Sequence, residues 1–127
     1  MQTDLDLEFV AGNAVVQTAR DATSAISSIP DDRAEDLRLL VSEVVTNSIR
    51  HRDPSITGWI RLRVESGDGH VRVEVHSPGV GIAFERSAKV GALRESGWGM
   101  YLLEQLADRW GVASAGSDTC VWFELDQ

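Results

Sequence analysis

The chain has one cysteine in 127 residues, which removes two ways of holding a small fold together. Cys120 has no partner for an internal disulfide, and without further cysteines a zinc site is not expected. Basic residues are also few: twelve Lys and Arg against twenty Asp and Glu, a formal charge of −8. No Lys or Arg run interrupts that balance, which argues against direct nucleic-acid binding and against an anionic membrane. No apolar stretch approaches the roughly 20 residues of a membrane span. The opening Met-Gln-Thr-Asp-Leu-Asp lacks the basic and apolar regions of a signal peptide, so the expected location is cytoplasmic. Internal repeats and low-complexity segments are absent as well. What is left, 43% hydrophobic and 25% charged, fits one globular domain over 1–127.

Residues 5–10 alternate Leu5, Leu7, Phe9 against Asp6, Glu8 and suggest a first strand. Gly12-Asn13 leads into a helix expected to end near Ser27, where Ser27-Ser28-Ile29-Pro30 breaks it. A second helix starts at Asp31 with Asp31, Asp32, Glu35 and Asp36 in its first turns, where the helix dipole favours negative charge. It ends near Arg50, and Asp53-Pro54 closes the segment. Residues 59–65 and 71–76 alternate strictly around Ser66-Gly67-Asp68-Gly69, a hairpin signal. Ile60, Leu62 and Val64 share a face with Val71, Val73 and Val75, while Arg61, Arg63, Glu65, Arg72 and Glu74 take the other. Residues 82–96 show no periodicity and read as a loop. A third helix is expected over 97–108, then a closing hairpin of 112–115 and 119–125. One apolar and one charged sheet face call for helices on one side only. The fold class is therefore an α/β two-layer sandwich, with a mixed or mostly antiparallel sheet and about three helices on one face.

The second helix carries one feature that packing does not require. At about 100° per residue, Leu37, Leu40, Val41, Val44, Val45 and Ile49 fill roughly half its circumference. Glu43 and Asn47 stand one turn apart at the border of that arc, with Arg50 and His51 continuing the strip. A carboxylate and an amide at i and i+4 offer hard oxygen ligands on a rigid element, suited to magnesium and to activating a nucleophile; a solvated helix edge is the bland reading. Ser77-Pro78-Gly79-Val80-Gly81 follows a strand, and Gly97-Trp98-Gly99 opens a helix. Glycines let backbone approach a ligand, and a helix start presents free N–H groups to phosphate.

Glu43-x-x-x-Asn47-x-x-x-His51, a glycine loop after a strand and Gly97-x-Gly99 opening a helix together resemble the GHKL ATPase superfamily. That group includes gyrase-type ATPases and histidine-kinase catalytic domains. Within it, Leu-Leu-Val-Ser-Glu-Val-Val-Thr-Asn, Leu-Ala-Asp-Arg-Trp-Gly (106–111) and Thr119-Cys120-Val121-Trp122-Phe123 are similar to the bacterial anti-sigma-factor serine/threonine kinases. The resemblance spans essentially the whole chain and implies a Bergerat-type ATP-binding fold with ATP and Mg2+ as cofactors. By it, Glu43 is the general base orienting the attacking hydroxyl, and Asn47 coordinates the magnesium that bridges the phosphates. His51, Trp98 and Met100 join the nucleotide site, Gly79 and Gly81 line the adenine side, and Gly97 and Gly99 hinge a lid formed by 82–96. It implies two partners, a sigma factor and a small antagonist (anti-anti-sigma) protein, and leaves open a homodimer.

One position departs from the pattern. Where the family has an aspartate that accepts the adenine amino group, this chain has Ser77, followed by the stiff Pro78. Losing a charge-assisted hydrogen bond costs about 1.5–3 kcal/mol, or roughly ten- to a hundredfold in affinity. A nucleotide-impaired protein-binding module acting as an adaptor is therefore a second reading, and a detached histidine-kinase catalytic half a third. His51-Arg52-Asp53 mimics the catalytic loop of eukaryotic-type protein kinases. The Asn expected five positions beyond Asp53 is replaced by Gly58, so that reading is rejected. His70 and His76 show no partner pattern and are expected as surface histidines, and Cys120 as a buried structural thiol. Trp110 is expected in the core. Trp59 and Trp122 fall on the outward register, compatible with a partner surface or with simple shielding of the sheet.

Overall fold

Asp68 and Gly69 both have positive φ, +54° and +81°. They form the two-residue turn between the paired Gly67 and His70, the geometry whose twist matches that of antiparallel strands. Asp tolerates this left-handed conformation better than most side chains, and Gly needs no tolerance at all. The hairpin is the centre of a computed structural model that describes residues 2–10, 14–26, 29–50, 58–78, 98–115 and 118–127.

Among the described residues eight elements follow one another: β1 Gln2–Val10, α1 Val15–Ser24, α2 Asp31–Arg50, β2 Trp59–Gly67, β3 His70–Pro78, α3 Trp98–Leu106, β4 Arg109–Ala115 and β5 Asp118–Asp126. The strands form one sheet in the order β1-β2-β3-β5-β4, and every neighbouring pair is antiparallel. β5 thus lies between β3 and the edge strand β4, so the chain leaves β3, crosses to the edge and returns.

Alternation decides the two faces. Ile60, Leu62, Val64, Val71, Val73, Val75, Val121, Phe123 and Leu125 all point inward and are essentially inaccessible. They form one continuous core with Val15 and Ala19 of α1, Leu37, Leu40, Val41, Val44 and Val45 of α2, and Leu103 of α3. The three described helices therefore cover the same face. Burying each such Leu, Val or Phe contributes about 1.5–3 kcal/mol, so this face carries the stability of the fold.

α2 is built to lie there. Its buried residues recur at the spacing of one helix stripe, Asp31 and Asp32 occupy its first turn, and Pro30 accepts the first backbone bonds, from Arg33 and Ala34. Arg33 fixes its start. The guanidinium donates from Nε to the Asp126 carbonyl (3.0 Å) and from Nη2 to Asp108 Oδ2 (2.8 Å).

Several boundaries differ from the sequence reading, each for a tertiary reason. α3 ends at Leu106 rather than Asp108, because the Asp108 amide donates to Glu124 and its carboxylate accepts from Arg33 and the Asp126 amide. β3 runs on through Ser77 and Pro78 because β5 pairs with it as far as Asp118. β1 begins at Gln2, paired with Ser66. The loop at 82–96, with His51, Gly79, Gly81 and Gly97, lies outside the described residues.

Candidate functional site

The polar groups of α2 divide along its length. Ser42 and Thr46 turn their hydroxyls back onto the Arg38 and Ser42 carbonyls, at 2.8 and 2.7 Å. One residue beyond Thr46, Asn47 is only 3% exposed and Ser48 only 1%. Neither the Asn47 Nδ2 nor the Ser48 Oγ has a hydrogen-bond partner among the described residues. A buried donor left unmade costs about 1–3 kcal/mol, so two in succession ask for acceptor oxygens from outside the described fold. Glu43, one turn before Asn47, is half-buried. It borders a groove of about 270 Å³ between α1 and α2, lined also by Arg20, Glu35, Arg38, Leu39 and Ser42. Asn47 and Ser77 are not among the described residues lining that groove.

Ser77 lies near the end of β3, directly opposite Thr119 at the start of β5. Both are buried, and alternation puts both on the helix-covered face, in line with Val75 and with Val121. Asn47 and this pair stand at similar distances from a shared anchor. Arg33 ties the start of the helix to Asp126, which pairs with His70 at the start of β3. Fourteen residues of helix from Arg33 to Asn47 climb about 21 Å. Seven residues of strand from His70 to Ser77 climb about 23 Å. α3, which opens at Trp98 with Gly99 and Met100 in its first turn, packs against α2.

The structure thus buries Asn47 on α2 and Ser77 on β3 beneath the same helical layer, while Glu43 faces a groove that neither of them lines. It describes only the helical placement of Trp98, Gly99 and Met100, and His51, Gly79, Gly81 and Gly97 lie outside it. Sequence reasoning assigned no role to Ser48 or Thr119. Ser48 reads as one more small residue of a helix, and Thr119 becomes informative only once register sets it against Ser77.

An unpaired buried amide on a rigid helix fits a hydrated magnesium ion bound between phosphate oxygens and one or two protein oxygens. Its carboxamide would have an oxygen for such an ion and an N–H for a phosphate oxygen. Which end is which follows from the hydrogen bonds it makes.

Comparison with known proteins agrees with this architecture. Residues 9–125 match the histidine kinase-like ATPase domain. A protein named anti-sigma F factor from Clostridium botulinum (strain Eklund 17B / Type B) is 36% identical over 85 residues, which is 64% of this chain and 59% of that protein. A protein named serine-protein kinase RsbW from Staphylococcus epidermidis is 30% identical over 89 residues, 61% of this chain and 56% of that protein. The aligned part therefore spans somewhat less than three fifths of the length of these curated relatives. With a match that runs over nearly its whole length, the chain belongs to the histidine kinase-like ATPase domain family.

Proposed function

We propose that this chain binds Mg-ATP between α2, β3, β5 and α3 and acts as a regulatory serine/threonine kinase of the anti-sigma type. It would phosphorylate a small antagonist protein and hold a sigma factor once that antagonist is phosphorylated. The carrying observation is the Asn47 amide, 97% shielded yet without a partner at Nδ2 among the described residues, on the helix that carries the family's motif.

In this reading Asn47 holds the magnesium and Glu43 accepts the proton of the attacking hydroxyl. Ser48 offers a further donor, while Ser77 and Thr119 offer hydroxyls to the adenine. His51, Gly79, Gly81, Gly97, Trp98, Gly99 and Met100 take the remaining contacts with the nucleotide, next to a lid of residues 82–96. ATP supplies the phosphoryl group, and phosphoryl transfer depends mainly on positioning and charge neutralisation. The names of the relatives support the choice of partner, and the protein is read as a cytoplasmic one-domain regulator that is able to pair with a second copy.

Calorimetric titration with Mg-ATP tests the reading. Saturable, magnesium-dependent binding is expected, with Glu43→Ala retaining affinity while phosphotransfer falls by about 10²–10⁴. Absence of binding at millimolar nucleotide would remove the kinase reading. One observation favours the alternative of an adaptor that has lost efficient nucleotide use: the buried side chain at the family's aspartate position is the hydroxyl of Ser77. Ser77→Asp separates the two readings. A gain of roughly ten- to a hundredfold in affinity marks a weakened but real site, whereas partner capture indifferent to nucleotide marks the adaptor.

A further inference from the structure

The face of the sheet opposite the helices holds a second cluster. His76 and Cys120 are directly paired across β3 and β5, and Glu74 lies two residues before His76 on the same face. His76 Nε2 is 3.0 Å from Glu74 Oε1 and 3.7 Å from Cys120 Sγ. The three ligand atoms all lie within 4.8 Å of one another. This overturns the expectation that His76 is a partnerless surface histidine, and it bears on the expectation that a single cysteine excludes a zinc site. We propose that Glu74, His76 and Cys120 form a three-ligand site for a divalent transition-metal ion of the zinc class, separate from the nucleotide region.

Metal–ligand lengths of about 2.3 Å to sulfur and about 2.0–2.2 Å to nitrogen and oxygen set the test of fit. At tetrahedral angles they separate S from N by about 3.6 Å and N from O by about 3.4 Å. The observed 3.7 and 3.0 Å are within a few tenths of an ångström of those values, and the Glu74 and Cys120 ligand atoms, within 4.8 Å of each other, close to about 3.6 Å by rotation of the carboxylate or thiol. Thiolate, imidazole and one carboxylate oxygen form a mixed set that suits zinc or cobalt and disfavours magnesium or calcium.

The surroundings orient the ligands. Arg72 donates to the other carboxylate oxygen, Glu74 Oε2, at 3.0 Å, which leaves Oε1 as a single-oxygen ligand, and its guanidinium lies 4.5 Å over the Trp122 ring. Such an outer partner fixes the direction of a ligating carboxylate. Both strands are interior to the sheet, so the ligands stand on rigid backbone. Binding releases the thiol proton to water; the thiolate and carboxylate then neutralise the ion, with water in the fourth position.

The test uses the full-length reduced protein titrated with cobalt(II) chloride, followed by zinc chloride. One equivalent of cobalt is expected to produce a thiolate-to-cobalt charge-transfer band together with the visible bands of a tetrahedral ion, and zinc to remove both. Cys120→Ser should abolish the charge-transfer band. His76→Gln and Glu74→Gln should each weaken cobalt binding by roughly tenfold or more. Circular dichroism identifies the variants that remain folded. No charge-transfer band in the folded wild type overturns the site, as does an undiminished band in folded His76→Gln, which keeps the test intact should Cys120→Ser misfold.

Discussion

The two faces of the sheet treat polar groups in opposite ways. On the bare face, charges are paired across strands. Arg61 bonds Asp6 through two nitrogens, at 2.8 and 2.7 Å. Arg72 bridges Glu74 and Glu124, and Arg109 holds Glu124 and Asp126. Even Arg63, whose Nε lacks a hydrogen bond, stands 3.7 Å from Glu65. On the helix-covered face the described polar groups are few and buried, and Asn47 and Ser48 have side-chain atoms with no partner among the described residues. A network that satisfies itself is a surface. Buried groups left unsatisfied need an explanation, and a ligand is the one proposed above for Asn47 and Ser48.

The largest test of this contrast compares two neighbours in β5. Phe123 faces the core and is fully buried, whereas Trp122 faces outward beneath Arg72. Phe123→Ala should cost about 3–5 kcal/mol in chemical denaturation. Trp122→Ala should cost clearly less, since its cation–π contact contributes about 0.5–2 kcal/mol. Equal losses would mean that the outer face carries a core of its own.

A second comparison lies within α2. Leu40→Ala should destabilise by about 2–5 kcal/mol. Asn47→Ala should leave the melting temperature nearly unchanged, because relief of a donor with no partner among the described residues offsets the packing lost with the side chain. A large loss at Asn47 would show it to be a packing residue.

Gly111 tests how closely the outer face is packed. A Cβ there would stand 2.8 Å from Trp122 Nε1, so Gly111→Ala should cost about 1–3 kcal/mol in thermal unfolding. Trp122→Ala in the same chain should recover much of that loss.

The smallest effect is electrostatic. The Arg109 guanidinium holds the Glu124 and Asp126 carboxyls below the ordinary carboxylate range, and Arg61 does the same for Asp6. Folded values lower than unfolded ones mean that the stabilisation is complete above about pH 4 and is lost as pH falls through the depressed values. Glu124→Gln should cost only about 0–1 kcal/mol at neutral pH, and less in high salt. Its melting temperature should fall less steeply than that of the wild type between pH 4 and pH 2.

Most of the fold was legible because alternation and helical spacing report burial directly. Ile60, Leu62 and Val64, the Gly67-Asp68-Gly69 turn and the Leu37–Ile49 stripe each carry their own signal. What local pattern could not show was which strands are neighbours. The extension of β3 through Ser77 and Pro78, the facing of Ser77 by Thr119, and the meeting of His76 with Cys120 all depend on β5 lying between β3 and β4. The same holds for α3, which stops early because Asp108 is claimed by Arg33 and β5. Of the candidate site, the placement of Glu43 and Asn47 one turn apart on a helix was visible from spacing. Burial of the amide without a partner was not, since nothing in a sequence tells a solvated asparagine from a shielded one.

The central claim is that the Asn47 amide is a ligand position and not part of the packing. Parallel Mg-ATP titrations of the wild type and Asn47→Ala, each with its melting temperature, address it most directly. The account predicts magnesium-dependent binding in the wild type and a loss of at least roughly a hundredfold, or about 2.7 kcal/mol, in a variant that melts where the wild type does. Equal affinity in the two proteins, or a variant that loses its fold along with its ligand, would contradict it.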